Sequence, residues 1–195
     1  MSKDKRNKQY HPLFAQMLRR MMEHFYDVET NFPVGDAPRQ ADILLLRRTG
    51  NHPTFTGLWR HLTAWNVIEF KGPTVSPRVR DLDLLIELGL GIDRRLNEER
   101  TRQRLSPLTP EQVSFWYIAR NLGRRFFPDA RLRLGQLDEV GPGLWRCQIM
   151  QRLVFLVSSE AYPTEADSVP LHLLIQRSPE EERKMARLIA REPNF

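Results

Sequence analysis

The residues best suited to chemistry in this chain are Glu69 and Lys71, separated by Phe70, together with Asp42. Side chains alternate faces along a strand, so Glu69 and Lys71 project together while Phe70 enters the opposite layer. Asp42 stands near the start of another apolar run, Ala41-Asp42-Ile43-Leu44-Leu45-Leu46. Pairing that run with Trp65–Lys71 would bring its carboxylate beside Glu69. Two carboxylates in a partly desolvated place repel by roughly 1–4 kcal/mol at about 4 Å, so something cationic must compensate. A hard divalent cation fits: Mg²⁺ (or Mn²⁺) is held by one or two carboxylates, with water and substrate phosphate oxygens completing the shell. The backbone carbonyl of Phe70 is a further candidate ligand. Lys71 is placed to orient or help deprotonate an attacking water, while the metal lowers that water's pKa and stabilises charge on the phosphate. The chemistry this predicts is hydrolysis of a phosphodiester bond. The plainer alternative, the usual fate of an arbitrary Glu-x-Lys tripeptide, is that Lys71 neutralises Glu69 and Asp42 as an ion pair at a strand end.

Local patterns place these residues on definite elements. From Pro12 to about Phe25, Leu13, Met17, Met21 and Phe25 recur every four residues and predict an amphipathic helix. An extended piece from Tyr26 to Val34 ends in the turn signal Gly35-Asp36-Ala37-Pro38. The apolar runs around Asp42 and from Trp65 to Lys71 read as buried strands, the second stopped by Gly72-Pro73. The connection over 48–64 exceeds the usual few residues and has room for a short element or a functional loop. Ser76-Pro77 predicts a helix start, and Val79, Leu82, Leu85, Ile86, Ile92 and Leu96 continue it at helical spacing, with Gly89 and Gly91 marking a close packing contact. The free amides of that helix, with Arg78 and Arg80, would favour phosphate.

Further along, Thr109-Pro110-Glu111-Gln112 has the form of a capping box, but Val113 to Ala119 is β-branched and aromatic and predicts a strand. Leu144 to Met150 and Leu153 to Ser158 predict a hairpin, Leu171 to Ile175 a further strand, and Ser178-Pro179-Glu180-Glu181-Glu182 a helix start. The arginine-rich stretches 94–104 and 120–133 read as solvated faces, and Trp59, Trp65, Trp116 and Trp145 as packing residues before base-stacking ones.

The 195 residues are enough for one domain with appended elements, and 41% hydrophobic with 28% charged residues is ordinary for a folded protein. Residues 1–11 form a polar basic tail, expected to be loose over its first nine positions, and 12–195 one domain. Thirty Lys+Arg against twenty-four Asp+Glu give +6, which suits a polyanionic partner. The single cysteine, Cys147, excludes an intrachain disulfide and reads as a small buried residue. The five histidines show no ligand spacing, and no phosphate-binding glycine loop or nucleophile elbow occurs. The basic start lacks the apolar stretch of a signal peptide, and no run approaches a membrane span, so a cytoplasmic protein with no membrane partner is the expectation.

Taken together, the first helix, the extended segment, Arg39 to Leu46, Val67-Ile68-Glu69-Phe70-Lys71 and the long helix resemble the PD-(D/E)XK nuclease superfamily, and within it the recombination-promoting nuclease and transposase group. The resemblance covers roughly residues 12–120, leaving about 121–195 as a C-terminal extension. It implies an α/β fold with an α-β-β-β-α-β core, extended here by a β-hairpin and helix. It also implies Mg²⁺-dependent cleavage of DNA linked to recombination or mobile elements, with a homodimer as one arrangement. The family's acids fall on Asp42 and Glu69 and its lysine on Lys71. A further acid often comes from the first helix, for which Glu29 and Glu23 are the candidates. Ala41 stands where the motif's name has proline, while the lysine is kept where many relatives carry glutamine. The rival expectations are an inactive relative that binds nucleic acid or protein, and an interaction module of a mobile element.

Overall fold

The apolar runs pair edge to edge into one mixed sheet. A computed structural model describes residues 3–30, 43–50, 55–72, 75–165 and 168–173. In chain order the elements are α1 (Lys3–Met22), β1 (Tyr26–Thr30), β2 (Ile43–Arg48), a 3₁₀ turn at Gly57–His61, β3 (Trp65–Phe70), α2 (Val79–Arg102), a 3₁₀ turn at Pro110–Gln112, β4 (Val113–Ala119), α3 (Phe126–Leu134), β5 (Asp138–Gly141), β6 (Leu144–Ile149), β7 (Arg152–Ser158) and α4 (Val169–Leu173). The seven strands lie in the order β1-β2-β3-β4-β7-β6-β5. β1, β2 and β3 form an antiparallel meander; β4 is parallel to both β3 and β7, and β5 and β6 return antiparallel beside β7. A parallel neighbour needs a crossover of a dozen residues or more, and α2 supplies it between β3 and β4. None of the helices among the described residues is long and apolar enough to cross a membrane.

Alternation along the strands sorts the core into two halves. Leu44, Leu46, Ile68, Trp116, Ile118 and Phe155 pack with Phe14, Leu18 and Met22 of α1 and with Trp59. Leu45, Val67, Phe115, Tyr117 and Leu156 pack with Leu82, Leu85 and Ile92 of α2 and Phe126 of α3. Helices on both faces explain why every residue of β4 is buried. Gly89 is required by this packing: a Cβ there would come within 2.5 Å of the Phe115 ring, the close contact its place in the helix predicts. Trp59 and Trp116 are core residues, Trp116 stacking on Phe155 at 4.2 Å. A polar knot beneath α1's side of the sheet is satisfied: Asn66 Oδ1 accepts from Ser114 Oγ and Thr63 N, each at 2.8 Å, and Ser114 Oγ accepts Trp116 Nε1 at 2.8 Å.

Several expected boundaries move. α1 begins at Lys3 and runs through Pro12, so the predicted tail is largely helical; lysine, arginine and glutamine, which fill much of its opening turns, are good helix formers. α2 begins at Val79, two residues beyond Pro77, with Arg78 as an extended N-cap and without a side-chain cap. Of the strand expected over Leu171 to Ile175, Leu171–Leu173 is helical and the last two residues lie outside the described ones: Pro170 cannot donate to a ladder, and Ser168 Oγ accepts Glu165 N at 2.8 Å and donates to the Pro163 carbonyl at 2.8 Å, closing the turn that launches α4. α3 occupies part of the arginine-rich stretch 120–133, and β5 has no counterpart among the expected strands. The helix expected from Ser178 lies outside the described residues.

The predicted hairpin is present as β6–β7, and Met150 and Gln151 close it with φ of 48° and 65°. Two successive left-handed residues are the geometry of a type I′ turn, which favours Asn-Gly and strains other side chains. Met150 is 69% exposed, so replacing it sacrifices little burial. The double substitution Met150→Asn with Gln151→Gly is therefore expected to stabilise the protein by about 1 kcal/mol, read as a higher midpoint in urea with an unchanged slope.

Candidate active site

The end of β3, the first turn of α2 and the later half of β4 converge on one polar cluster. Glu69 is paired laterally with Ile43 of β2 and Tyr117 of β4, and the pleat sends Glu69 and Tyr117 to the α2 face. Glu69 is 7% exposed. Lys71 follows directly after β3, its amide bonded to the Ile118 carbonyl at 2.8 Å. Its ammonium lies 2.7 Å from Glu69 Oε1 and 3.3 Å from Asp81 Oδ2. Tyr117 completes the cluster, its hydroxyl donating to Asp81 Oδ2 at 3.3 Å and accepting the amide of Arg78, the free N–H of the α2 N-cap. Phe70 faces the other way, stacked on Phe14 at 4.2 Å.

Charge and burial oppose each other here. Burial alone pulls the Lys71 ammonium toward its neutral form; Glu69 first, then Asp81, more than offset this and hold its pKa above the usual lysine value. The Tyr117 phenol is pushed well above its usual range by burial, with the negative charge of Asp81 adding to it. The cluster thus contains a firmly charged lysine and a neutral phenolic donor. The Cys147 thiol, elsewhere, is pushed up to about 11, first by burial and then by Asp138, as befits a packing residue.

The expected site residues are distributed unevenly. Glu69 and Lys71 are together as the two-residue spacing requires. Asp42 lies outside the described residues; its neighbour Ile43 is the partner of Glu69. Glu29 is exposed on β1 opposite Leu45, with β2 between it and β3, roughly 10 Å of sheet. Glu23 follows α1 at the opposite end of the sheet, 3.6 Å from His24, and is not part of the cluster. Arg78 and Arg80 are exposed at the start of α2, and Arg78 lines an open cavity of about 500 Å³ with Asn121, Arg125 and Asp129.

Comparison of the chain with protein-family models, curated proteins and solved structures finds no match. The site therefore rests on its own chemistry. Asp81 and Tyr117 are the members that the strand motif does not reveal. Asp81 carries one signal, an acid in the first turn of a helix, where the amide dipoles stabilise it. Tyr117 carries none, since its place beside Glu69 follows only from the β3–β4 register.

Glu69 and the Phe70 carbonyl are hard oxygen donors, with Asp81 set behind the Lys71 ammonium, and among the described residues no group of three His, Cys, Asp or Glu side chains gathers. This donor set suits a cation that takes oxygen ligands and keeps waters, as Mg²⁺ does. Two carboxylates against one ammonium leave a net negative charge, so the cluster can accommodate further positive charge.

A second buried ion pair lies further along α2. Asp93, 3% exposed, accepts from Arg152 Nε at 2.8 Å and from its Nη2 through the same Oδ2, while Oδ1 accepts Asn97 Nδ2 at 2.9 Å. Asn97 Oδ1 in turn accepts the amide of Leu108 at 2.6 Å. This network ties α2 to the start of β7 and to the connection leading into β4.

Proposed function

We propose that this protein is a Mg²⁺- or Mn²⁺-dependent DNA endonuclease of the PD-(D/E)XK type, acting in recombination or on mobile elements. The observation that carries the reading is the Glu69–Lys71 pair at the end of β3, within an element order that runs α-β-β-β-α-β from α1 to β4. Glu69, Asp42 and the Phe70 carbonyl would hold the cation. For Asp42 to contribute, the backbone before Ile43 must leave the strict pleat, since alternate positions of β2 such as Leu44 and Leu46 face α1 while Glu69 faces α2. When bound, the cation supplies charge neutralisation at the phosphate and an acidified water. Lys71, held as an ammonium, serves as a donor that orients water or phosphate in the resting state. Arg78 and Arg80, exposed beside the α2 amides, suit backbone phosphates.

The deciding assay is nicking of supercoiled plasmid with Mg²⁺, Mn²⁺ or EDTA. Nicking with either metal and none in EDTA is expected. A second reading, an inactive relative that binds nucleic acid or protein, is favoured by one feature: Lys71 is shared between two carboxylates, as in a purely structural ion pair. Binding without nicking would select it. Arg78→Ala or Arg80→Ala should weaken duplex binding whatever the sequence and make its salt dependence shallower by about one unit of slope for each phosphate left unneutralised. Absence of duplex binding at low salt would reject both DNA readings.

A further inference from the structure

The Lys71 ammonium has two seats, and the geometry points to Asp81 as a positioning residue: it takes the ammonium when a divalent cation occupies Glu69, so that the cation need not displace a buried positive charge into an unpaired state. This inference rests on the proposed metal site. Its basis is the sharing of one Nζ between Glu69 Oε1 at 2.7 Å and Asp81 Oδ2 at 3.3 Å, with the Lys71 side chain only 15% exposed.

A cation and an ammonium compete for the same carboxylate. If Glu69 were the only partner of Lys71, binding of Mg²⁺ there would strand a charge that burial already disfavours. Asp81 removes that obstacle. It belongs to a different element, the first turn of α2, so it does not move with β3. It is also fixed from behind by Tyr117, whose hydroxyl bridges Asp81 Oδ2 and the Arg78 amide and whose phenol stays protonated. The groups facing the ammonium are thus Glu69 from its own strand, Asp81 from α2, and Tyr117 from β4 behind Asp81. Asp81 acts on the cation through Lys71 without ligating it.

The test is a double-mutant cycle on the full chain, read by calorimetric titration with Mg²⁺ alone. Asp81→Asn keeps an oxygen that can accept from Tyr117 and removes the charge. It should weaken Mg²⁺ binding about tenfold in the Lys71 protein. It should change it less than about twofold in the Lys71→Met background, where there is no ammonium left to seat. Asp81→Glu, which restores the charge, should recover most of the affinity, and it carries the comparison should Asp81→Asn fail to fold. An equal loss in both backgrounds would overturn the inference by making Asp81 a direct ligand, and an Mg²⁺ affinity unchanged by Asp81→Asn in the Lys71 protein would overturn it outright. If the wild type binds no Mg²⁺ at all, the metal-site reading fails and the inference built on it falls with it, leaving Asp81 only as a structural counter-charge.

Discussion

Glu69→Gln and Lys71→Met will each lower Mg²⁺-dependent nicking at least about a hundredfold, but for opposite reasons. Glu69→Gln removes the buried carboxylate of the metal set. Metal binding is lost with it, and so is the rise in melting temperature that a ligand of the folded state produces, a stabilisation of about 2.7 kcal/mol at a hundred times Kd. Its Lys71 retains Asp81, so the metal-free protein remains folded. Lys71→Met removes no ligand. It removes the ammonium that competes with the cation for Glu69, so Mg²⁺ binds more tightly, and it leaves that buried carboxylate without its counter-charge, so the metal-free protein is less stable, yet cleavage is absent. Tighter binding with no cleavage separates the lysine's chemistry from the cation's. Asp42→Asn should lose the thermal response to metal and be no less stable without it. Cleavage at the wild-type rate by Glu69→Gln or Lys71→Met, at matched purity, would sink the assignment.

The largest purely structural effect is expected at Arg152. Its guanidinium gives two N–H groups to one oxygen of Asp93, which is 3% exposed. Arg152→Leu leaves that carboxylate buried with Asn97 as its remaining side-chain donor, and the cost of an unpaired buried charge is about 3–5 kcal/mol. For a chain of this size that is a melting temperature lower by roughly 10 °C. The pair Asp93→Leu with Arg152→Leu removes both charges and should recover most of the loss, since a buried pair is often no better than apolar side chains of similar volume. Thermal and urea denaturation of the two single variants and the double give the coupling directly. A loss under about 1 kcal/mol in Arg152→Leu would mean that Asp93 is solvated or protonated at little cost.

How far the sequence foretells this molecule depends on the range of the signal. The same-face placement of Glu69 and Lys71 follows from a two-residue period and needs no tertiary information; the structure brings them to 2.7 Å. The strands at Ile43–Arg48, Trp65–Phe70 and Val113–Ala119 are legible because runs buried on both faces are continuously apolar. Asp81 and Tyr117 are not legible as site residues, because only the docking of α2 and the register of β4 carry them to Lys71. Ser76-Pro77 has the form of a helix start, but the N-cap falls two residues later, where Tyr117 fixes its amide from outside. The short run at Leu171 shows the ordinary ambiguity of periodicity over a few residues, resolved by Ser168 and Pro170. α3 is hidden because it is only nine residues long, carries Pro128 inside it, and shows just three buried positions, Phe126, Ala130 and Leu134, at helical spacing.

The burial of β4 on both faces has a consequence for the order in which the chain is made. Every described residue of the polar cluster precedes residue 120, but the strand that covers the outer edge of β4 is β7, residues 152–158. Until β7 is synthesised, the edge of Val-Ser-Phe-Trp-Tyr-Ile-Ala offers unpaired amides and carbonyls along a run with high β-propensity and no charge, the sequence signature of an aggregation template. The part of the chain that carries the polar cluster is therefore not a separable unit. A chain truncated after residue 120 should be recovered as aggregate, and chaperone demand during translation should peak between the emergence of β4 and that of β7.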